Sequence, residues 1–437
     1  MMDIQNFYAK ARSGDPVDPG PLIQHLRSYG NVIIWGASFL GKAIERQLRR
    51  HGIAVARFWD ERADDICDLP DFEVSKPFTG GQVPGETLVI LAIGNLIIQS
   101  GLASRIEAAG YDHLLGDVVY MATGCPVSLK SGVDGTACIR SLTCRFIYCP
   151  RISNVLNHRA LGGTVPEDGP LSMQSITLVI NQVCSLGCKY CSSYMNAYPR
   201  EDRVNFPLEG ILRDIDLFFG AVDSVGSVTV MGGEPFLHPH INTIVEALLA
   251  KENCGLIAIP TSGTCRIRDE QLRSLRDPRV IVTFSNYLES ITPRQKELFH
   301  RNVERVRSAG VFCSVGVAIP QWMIPATMED KGLSVERISE ITQACTPRYL
   351  QIKNGKLHPC DYANSFHNLK VADYPADYVT LAVPETRAEL RRSIRSWMGA
   401  PYYRTCGHCG AQGELSGTSK AGEQGFVDLL PPRVRAR

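Results

Sequence analysis

At 437 residues, 44% hydrophobic and 21% charged, the chain has the balance of a soluble globular protein and the length of two or three domains. A formal charge of +1 offers no broad positive field to a phosphate backbone, which argues against a nucleic-acid partner, and the longest apolar run, 88–98, is too short to span a membrane. Fifteen cysteines, behind a start that carries charges and an early proline where an export signal would be apolar, point to metal or redox chemistry in the cytoplasm rather than to disulfides.

Residues 31–61 read as a strand, a glycine turn, an amphipathic helix and a second strand, and TLVILAIGN at 87–95 supplies a later buried strand. This predicts a doubly wound α/β domain over 1–122. Gly36-Ala37-Ser38-Phe39-Leu40-Gly41 opens its helix, and Asp60 ends the next strand 24 residues after Gly36. The pattern resembles the Rossmann dinucleotide fingerprint, except that Ser38 stands where the second glycine would let a pyrophosphate approach. The resemblance leaves three roles open: NAD binding, binding of a nucleotide sugar at the helix N-terminus, and a structural or docking role.

Periodicity fails over 123–173, a connector that carries Cys125, Cys138, Cys144 and Cys149. These thiols fit either a further metal site or apolar packing. Alternation resumes over 174–344, with strands expected at 176–181, 227–231, 256–260, 280–285 and 312–318, and helices at 208–219, 241–250, 269–275, 293–309 and 335–344. Repeated βα units predict a parallel barrel, complete or partial, with its active site at the carboxyl ends of the strands. Residues 345–437 read as a compact extension that begins with a hairpin, YLQIKNGKLHPC, whose Asn354-Gly355 pair suits a type I′ turn.

Directly after the first barrel strand come Cys184, Cys188 and Cys191, three thiolates within eight residues. Three cysteines can hold three irons of a 4Fe-4S cluster and leave the fourth iron open; a zinc knuckle or a chance spacing are the other readings of the triplet alone. At the end of the next strand, Met231-Gly232-Gly233-Glu234-Pro235 combines two glycines that admit a close approach with a carboxylate that can accept from an ammonium group. The CxxxCxxC triplet together with this segment resembles the radical SAM family, over about 176–409. The resemblance implies a partial (β/α)6 TIM-like barrel, and a cluster whose open iron binds S-adenosylmethionine (SAM) and cleaves it to a 5′-deoxyadenosyl radical. It further implies that Tyr190 lies near the adenine, that Gly232, Gly233, Glu234 and Pro235 hold the SAM amino group, and that Ser285 and Asn286 meet the ribose. A flavodoxin or ferredoxin would supply the electron. Thr261, Ser262 and Gly263 stand where relatives often carry Thr-Asn-Gly, although turn residues would read the same.

Cys345, Cys360, Cys406 and Cys409 form a closed set of four, suited to one further cluster or a structural zinc. Downstream of such a barrel they resemble the twitch domain, the shortened SPASM extension, which implies a second, auxiliary 4Fe-4S cluster able to accept an electron from a substrate radical. His238, His240, His358 and His408 are expected to pack rather than ligate, and Cys67, Cys254, Cys265 and Cys313 to be core. The function expected is a radical SAM enzyme acting oxidatively on a small molecule or carbohydrate. A peptide-modifying maturase and a non-catalytic metal-binding scaffold are the alternatives.

Overall fold

The computed structural model describes residues 18–66, 68–93, 96–123, 171–316, 321–345, 350–410 and 417–431, so Cys67 and the connector thiols Cys125, Cys138, Cys144 and Cys149 lie outside the described residues. The chain divides into two compact units, Met1–Gln174 with Ser314–Val317, and Ser175–Cys313 with Ala318–Arg437.

In the first unit, β1 (Asn31–Trp35), β2 (Arg57–Trp59), β3 (Val74–Ser75), β4 (Thr87–Leu91) and β5 (Asp112–Leu115) form one parallel sheet in the order β3-β2-β1-β4-β5. That is the strand order of a doubly wound sheet. Every residue of β4 is buried, which explains why TLVIL reads as an unbroken apolar run instead of an alternation. Between β1 and the helix Phe39–Arg50 the chain turns through Gly36 at φ 118°, where a Cβ would come within 2.5 Å of the Ala92 carbonyl oxygen. Asp60 closes this turn, because one carboxylate oxygen accepts from the Ala37 N–H at 2.9 Å and the other from the Arg62 N–H at 3.0 Å.

The second sheet has eight strands, ordered β10-β9-β8-β7-β6-β12-β13-β14. Its parallel part comprises β6 (Ser172–Val179), β7 (Ser224–Met231), β8 (Cys254–Thr261), β9 (Val280–Phe284) and β10 (Cys313–Val315), interleaved with the helices Leu208–Ala221, Ile241–Leu249 and Pro293–Ser308. These are five strands of the parallel sheet among the described residues. On the far side of β6 the place of a further parallel strand is taken by β12 (Leu350–Lys353), which pairs Leu350 with Ile176. The hairpin therefore belongs to the barrel sheet: β12 turns through Asn354 at φ 49° and Gly355 at φ 76° into β13 (Lys356–His358), and β14 (Val379–Thr380) pairs with β13 in turn. Parallel pairing at β6 puts the carboxyl end of β12 beside that of the first barrel strand.

Smaller departures have local causes. The helix expected at 269–275 is two short 3-10 turns, Asp269–Leu272 and Ser274–Arg276. The Gln271 side chain ties the first turn by accepting from Arg268 N–H at 3.0 Å and donating to the Phe236 carbonyl at 3.0 Å. Cys254 and Cys265 are core as expected, at 0% and 5% exposure, whereas Cys313 is only half-buried because β10 is the edge strand of its sheet. A separate ribbon joins β11 (Gln321–Met323) to β15 (Thr418–Lys420), antiparallel. Among the described residues no helix is long and apolar enough to cross a membrane.

Candidate active site

Strand β6 ends at Val179, and the chain then crosses the carboxyl end of the sheet as a loop bearing Cys184, Cys188 and Cys191, all half-buried. Burial pushes the Cys184 thiol up to about 12 and Cys191 to about 11, and raises Cys188 as well. Negative charge at neighbouring thiols adds to the rise at Cys184, so three thiolates share this loop only where a cation offsets them. An iron cluster is such a cation, and the donor set suits it.

The GGEP segment packs directly on this loop. Glu234 N–H donates to the Val183 carbonyl at 2.7 Å, and Gly233 N–H to the Asn181 side-chain oxygen at 3.1 Å. A Cβ on Gly232 would lie 2.3 Å from the Asn181 carbonyl oxygen, and one on Gly233 would lie 2.3 Å from that of Val183 and 3.0 Å from the Cys184 Cβ. The glycines are thus required for the end of β7 to meet the cysteine loop, a closer constraint than ligand access. Glu234 is 1% exposed, and burial raises its carboxyl against the pull of its hydrogen bonds. One oxygen accepts from Thr261 Oγ1 at 2.8 Å and Phe236 N at 3.3 Å; the other accepts from Ser262 N at 3.0 Å and Ser262 Oγ at 2.7 Å. Four donors fill the acceptor sites of a carboxylate. The Glu234 side chain therefore ties β7 to the end of β8.

Thr261 and Ser262 do more than turn the chain, since Ser262 Oγ also meets Thr264 Oγ1 at 2.8 Å, and Thr264 Oγ1 meets Ser185 Oγ inside the cysteine loop at 2.8 Å. Gly263, at φ 67°, makes that turn possible. Ser285 N–H donates to the Thr261 carbonyl at 2.8 Å, while the Asn286 side-chain oxygen accepts from Leu288 N–H at 3.3 Å as a local turn. The next residue, Tyr287, lies close enough to the three loop thiols that, after burial, their charges help hold its hydroxyl above the usual range. Tyr190 is half-buried on the loop, and Pro235 is buried at the start of the turn Pro235–Leu237. His238 is structural, as expected: its ring nitrogens meet the Phe206 carbonyl at 3.0 Å and the His240 N–H at 3.2 Å.

A strap near the C-terminus, 417–431, covers the loop from outside. Gly187 N–H donates to Gln424 Oε1 at 2.7 Å, Lys189 N–H to the Glu423 carbonyl at 2.8 Å, and Gly425 N–H to the Gly187 carbonyl at 2.9 Å. Gln424 Nε2 also donates to the Cys188 sulfur at 3.4 Å. Val427 and Leu429 border a small cavity with Cys188, Cys191 and Tyr194. Nothing in the tail's composition signals this, because its partners lie more than 200 residues distant in sequence.

The second cysteine set also converges. Cys345 caps the helix Val335–Ala344, Cys360 opens the helix Asp361–Asn368, and Cys406 and Cys409 bound a single helical turn. Asp377 fixes that turn by accepting from Arg404 N at 2.9 Å, Thr405 N at 2.7 Å and Thr405 Oγ1 at 2.8 Å. Burial, and then the charges of Cys406, Cys409 and Cys345, push the Cys360 thiol well up, so the four thiols lie within electrostatic reach of one another. Among the described residues no three His, Cys, Asp or Glu side chains are arranged to hold a single metal ion. A four-iron cluster takes one thiolate per iron, so its ligands need not converge on one point. His358 is fully buried and stacks on His367 with ring centroids 5.4 Å apart. Burial keeps both rings below the usual histidine range, hence neutral packing partners.

Between the two cysteine sets lies a cavity lined by Met231, Gly232, Ser193, Lys353, Asp361 and Asn364 among others. Lys353 is 2% exposed and burial lowers its amine to about 7. Sequence reading missed both Lys353 and Asp361, because a lysine inside a strand normally faces water.

A model of the radical SAM superfamily matches residues 178–320. The cysteine loop, the GGEP segment and the ends of β8 and β9 all lie within the matched residues, so 178–320 is the part of the chain similar to that superfamily. The superfamily works with a 4Fe-4S cluster and SAM. Among curated proteins the chain is similar to "GTP 3',8-cyclase 1" from two strains of Mycobacterium tuberculosis, at 26% identity over 179 residues, 39% of this chain and 47% of the relative. The chain spans about half the length of those relatives. Among solved structures it is similar to BtrN in complex with AdoMet and 2-DOIA, at a TM-score of 0.32, 13% identity, 58% of this chain and 95% of that one. It is also similar to Streptococcus suis SuiB bound to precursor peptide SuiA, at a TM-score of 0.27, 15% identity, 50% of this chain and 46% of that one.

Proposed function

We propose that this chain is a SAM-cleaving enzyme that oxidises a small molecule or carbohydrate, with Cys184, Cys188 and Cys191 as ligands of the SAM cluster and Cys345, Cys360, Cys406 and Cys409 as ligands of an auxiliary 4Fe-4S cluster of the twitch type. The observation that carries this reading is the contact of the cysteine loop with Gly232 and Gly233, so close that neither glycine tolerates a Cβ. When bound, the cluster and SAM supply a 5′-deoxyadenosyl radical, which takes a hydrogen atom from the substrate.

The protein's part is to bind, orient and exclude water. Backbone groups of Gly232 and Gly233 flank the open side of the loop and are the SAM-facing surface that Glu234 holds in place through Thr261 and Ser262. Ser285 and Tyr287 border the same space at the end of β9. The strap at 417–431 shields the outer face of the loop from solvent and oxygen. Four thiols at the second set are consistent with an electron acceptor rather than a site for binding substrate through an open iron. We read the first unit as a Rossmann-like domain with a structural or docking role. Both Asp60 oxygens are committed to backbone N–H groups, which leaves the carboxylate poorly placed to serve a ribose and weakens the case for NAD.

Anaerobically reconstituted protein is expected to carry about eight irons and, once reduced, to convert SAM to 5′-deoxyadenosine. Replacing Cys184, Cys188 and Cys191 together with Ala is expected to abolish cleavage and leave about four irons. Cleavage by that variant, or about four irons in the parent protein, would remove respectively the first and the second ligand assignment.

A further inference from the structure

The cavity between the two cysteine sets is lined by an amine and a carboxylate that make no ion pair with each other among the described residues. Strand alternation points Gln351 and Lys353 to the same face of β12, and both are 2% exposed. Lys353 Nζ has one hydrogen-bond partner among the described residues, Tyr198 Oη at 3.2 Å, and makes no ion pair there. The rings of Tyr198 and Phe206, with centroids 4.7 and 5.6 Å away, cover the rest of that side. An amine carries two or three N–H donors and Tyr198 takes one, so the others face the two rings and the cavity, where a buried donor gains from a partner. On the other side Asp361 accepts from Ser193 Oγ at 3.0 Å and also from Ser192 and Gln351, which leaves about one of its four acceptor positions.

From this arrangement we infer that Lys353 is a substrate-binding residue: it donates to the oxygen of one hydroxyl group of a sugar-like substrate, whose O–H in turn donates to Asp361. A hydroxyl both accepts and donates and is neutral, so it satisfies the two side chains together. A carboxylate or phosphate would face Asp361, and an ammonium group would face Lys353. Met231 and Gly232 border the same cavity, so the hydroxyl would be held beside the segment read as the SAM-binding end of β7. This inference rests on the reading of the chain as a SAM-cleaving enzyme of small hydroxylated molecules.

The test uses the full chain, cluster-loaded and with SAM, under anaerobic conditions. Saturation-transfer NMR is read with glucose, glucosamine, glucuronate and a serine-containing peptide. Glucose is expected to bind best, and Lys353→Met to weaken it by about 10- to 100-fold, the loss of one charge-assisted hydrogen bond. Lys353→Gln, which keeps a neutral donor, is expected to lose less and serves if the Met variant fails to fold. Unchanged glucose binding in both variants, preference for glucuronate, binding of the peptide alone, or silence toward all three sugars would each overturn the inference. Loss of SAM cleavage in the parent protein would instead sink the underlying reading.

Discussion

Lys353 concentrates the chemistry of this protein at the residue scale. An exposed lysine titrates near 10.5, and burial brings this one down to about 7. Because the folded pKa is depressed, the unfolded chain binds the extra proton between these values, and stability rises with pH there by about 1.4 kcal/mol per unit. The penalty is complete below pH 7 and gone above 10.5. Lys353→Met lacks this slope. Its stability advantage over the parent, read by chemical denaturation, is therefore expected to shrink between about pH 7 and pH 9.5; an advantage that holds constant would show that Lys353 titrates normally in the folded protein. Glu234 is a buried carboxylate with four donors around it, which brace the end of β7 against the end of β8. Its identity was legible in the sequence, but its hydrogen-bond inventory depended on Thr261, Ser262 and Phe236.

Elements explain why the site exists where it does. Parallel strands deliver their loops to one end, so the cysteine loop after β6, GGEP after β7, Thr261-Ser262 at the end of β8 and Ser285 after β9 meet without any of them being adjacent in sequence. The periodicity of 208–219, 241–250 and 335–344 was enough to place the helices Leu208–Ala221, Ile241–Leu249 and Val335–Ala344, since one apolar face per helix suffices to mark them. The same pattern misled at 269–275, where side-chain bonds from Gln271 outcompete helical continuation. The strap is the element that periodicity could not reveal. Its Gln424 side chain donates to the Cys188 sulfur, and with Cys188 as the cluster ligand proposed above, that bond would draw electron density from the cluster. Gln424→Ala is expected to lower the midpoint potential of the SAM cluster by about 40 mV, the one-electron equivalent of a hydrogen bond worth ~1 kcal/mol, as read by a spectroscopic redox titration. An unmoved midpoint would mean that the strap does not sense the cluster.

At the scale of the whole molecule, two compact units carry separate cores, and both cysteine sets fall within Ser175–Cys313 and Ala318–Arg437. Were the clusters proposed above bound there, metal binding would stabilise only the unit that holds their ligands. Removal of iron by chelation is therefore expected to lower the calorimetric transition of that unit by about 10 °C, equivalent to roughly 3 kcal/mol, and to leave the transition of the first unit in place. Equal shifts in both would indicate that the units unfold as one.

Local signals in the amino-acid sequence were sufficient for the likeness to the radical SAM superfamily over 178–320, the parallel α/β architecture and the Asn354-Gly355 turn, because thiol spacing, glycine positions and apolar periodicity are set within short stretches of chain. Only the tertiary structure decided that β12 joins the barrel sheet beside β6, that Glu234 is spent on Thr261 and Ser262, that Gln424 reaches Cys188 and that Lys353 faces Asp361 across a cavity. Each of these depends on burial and hydrogen bonding between residues far apart in sequence, and a polar side chain gives no local sign of which distant partner folding will bring to it.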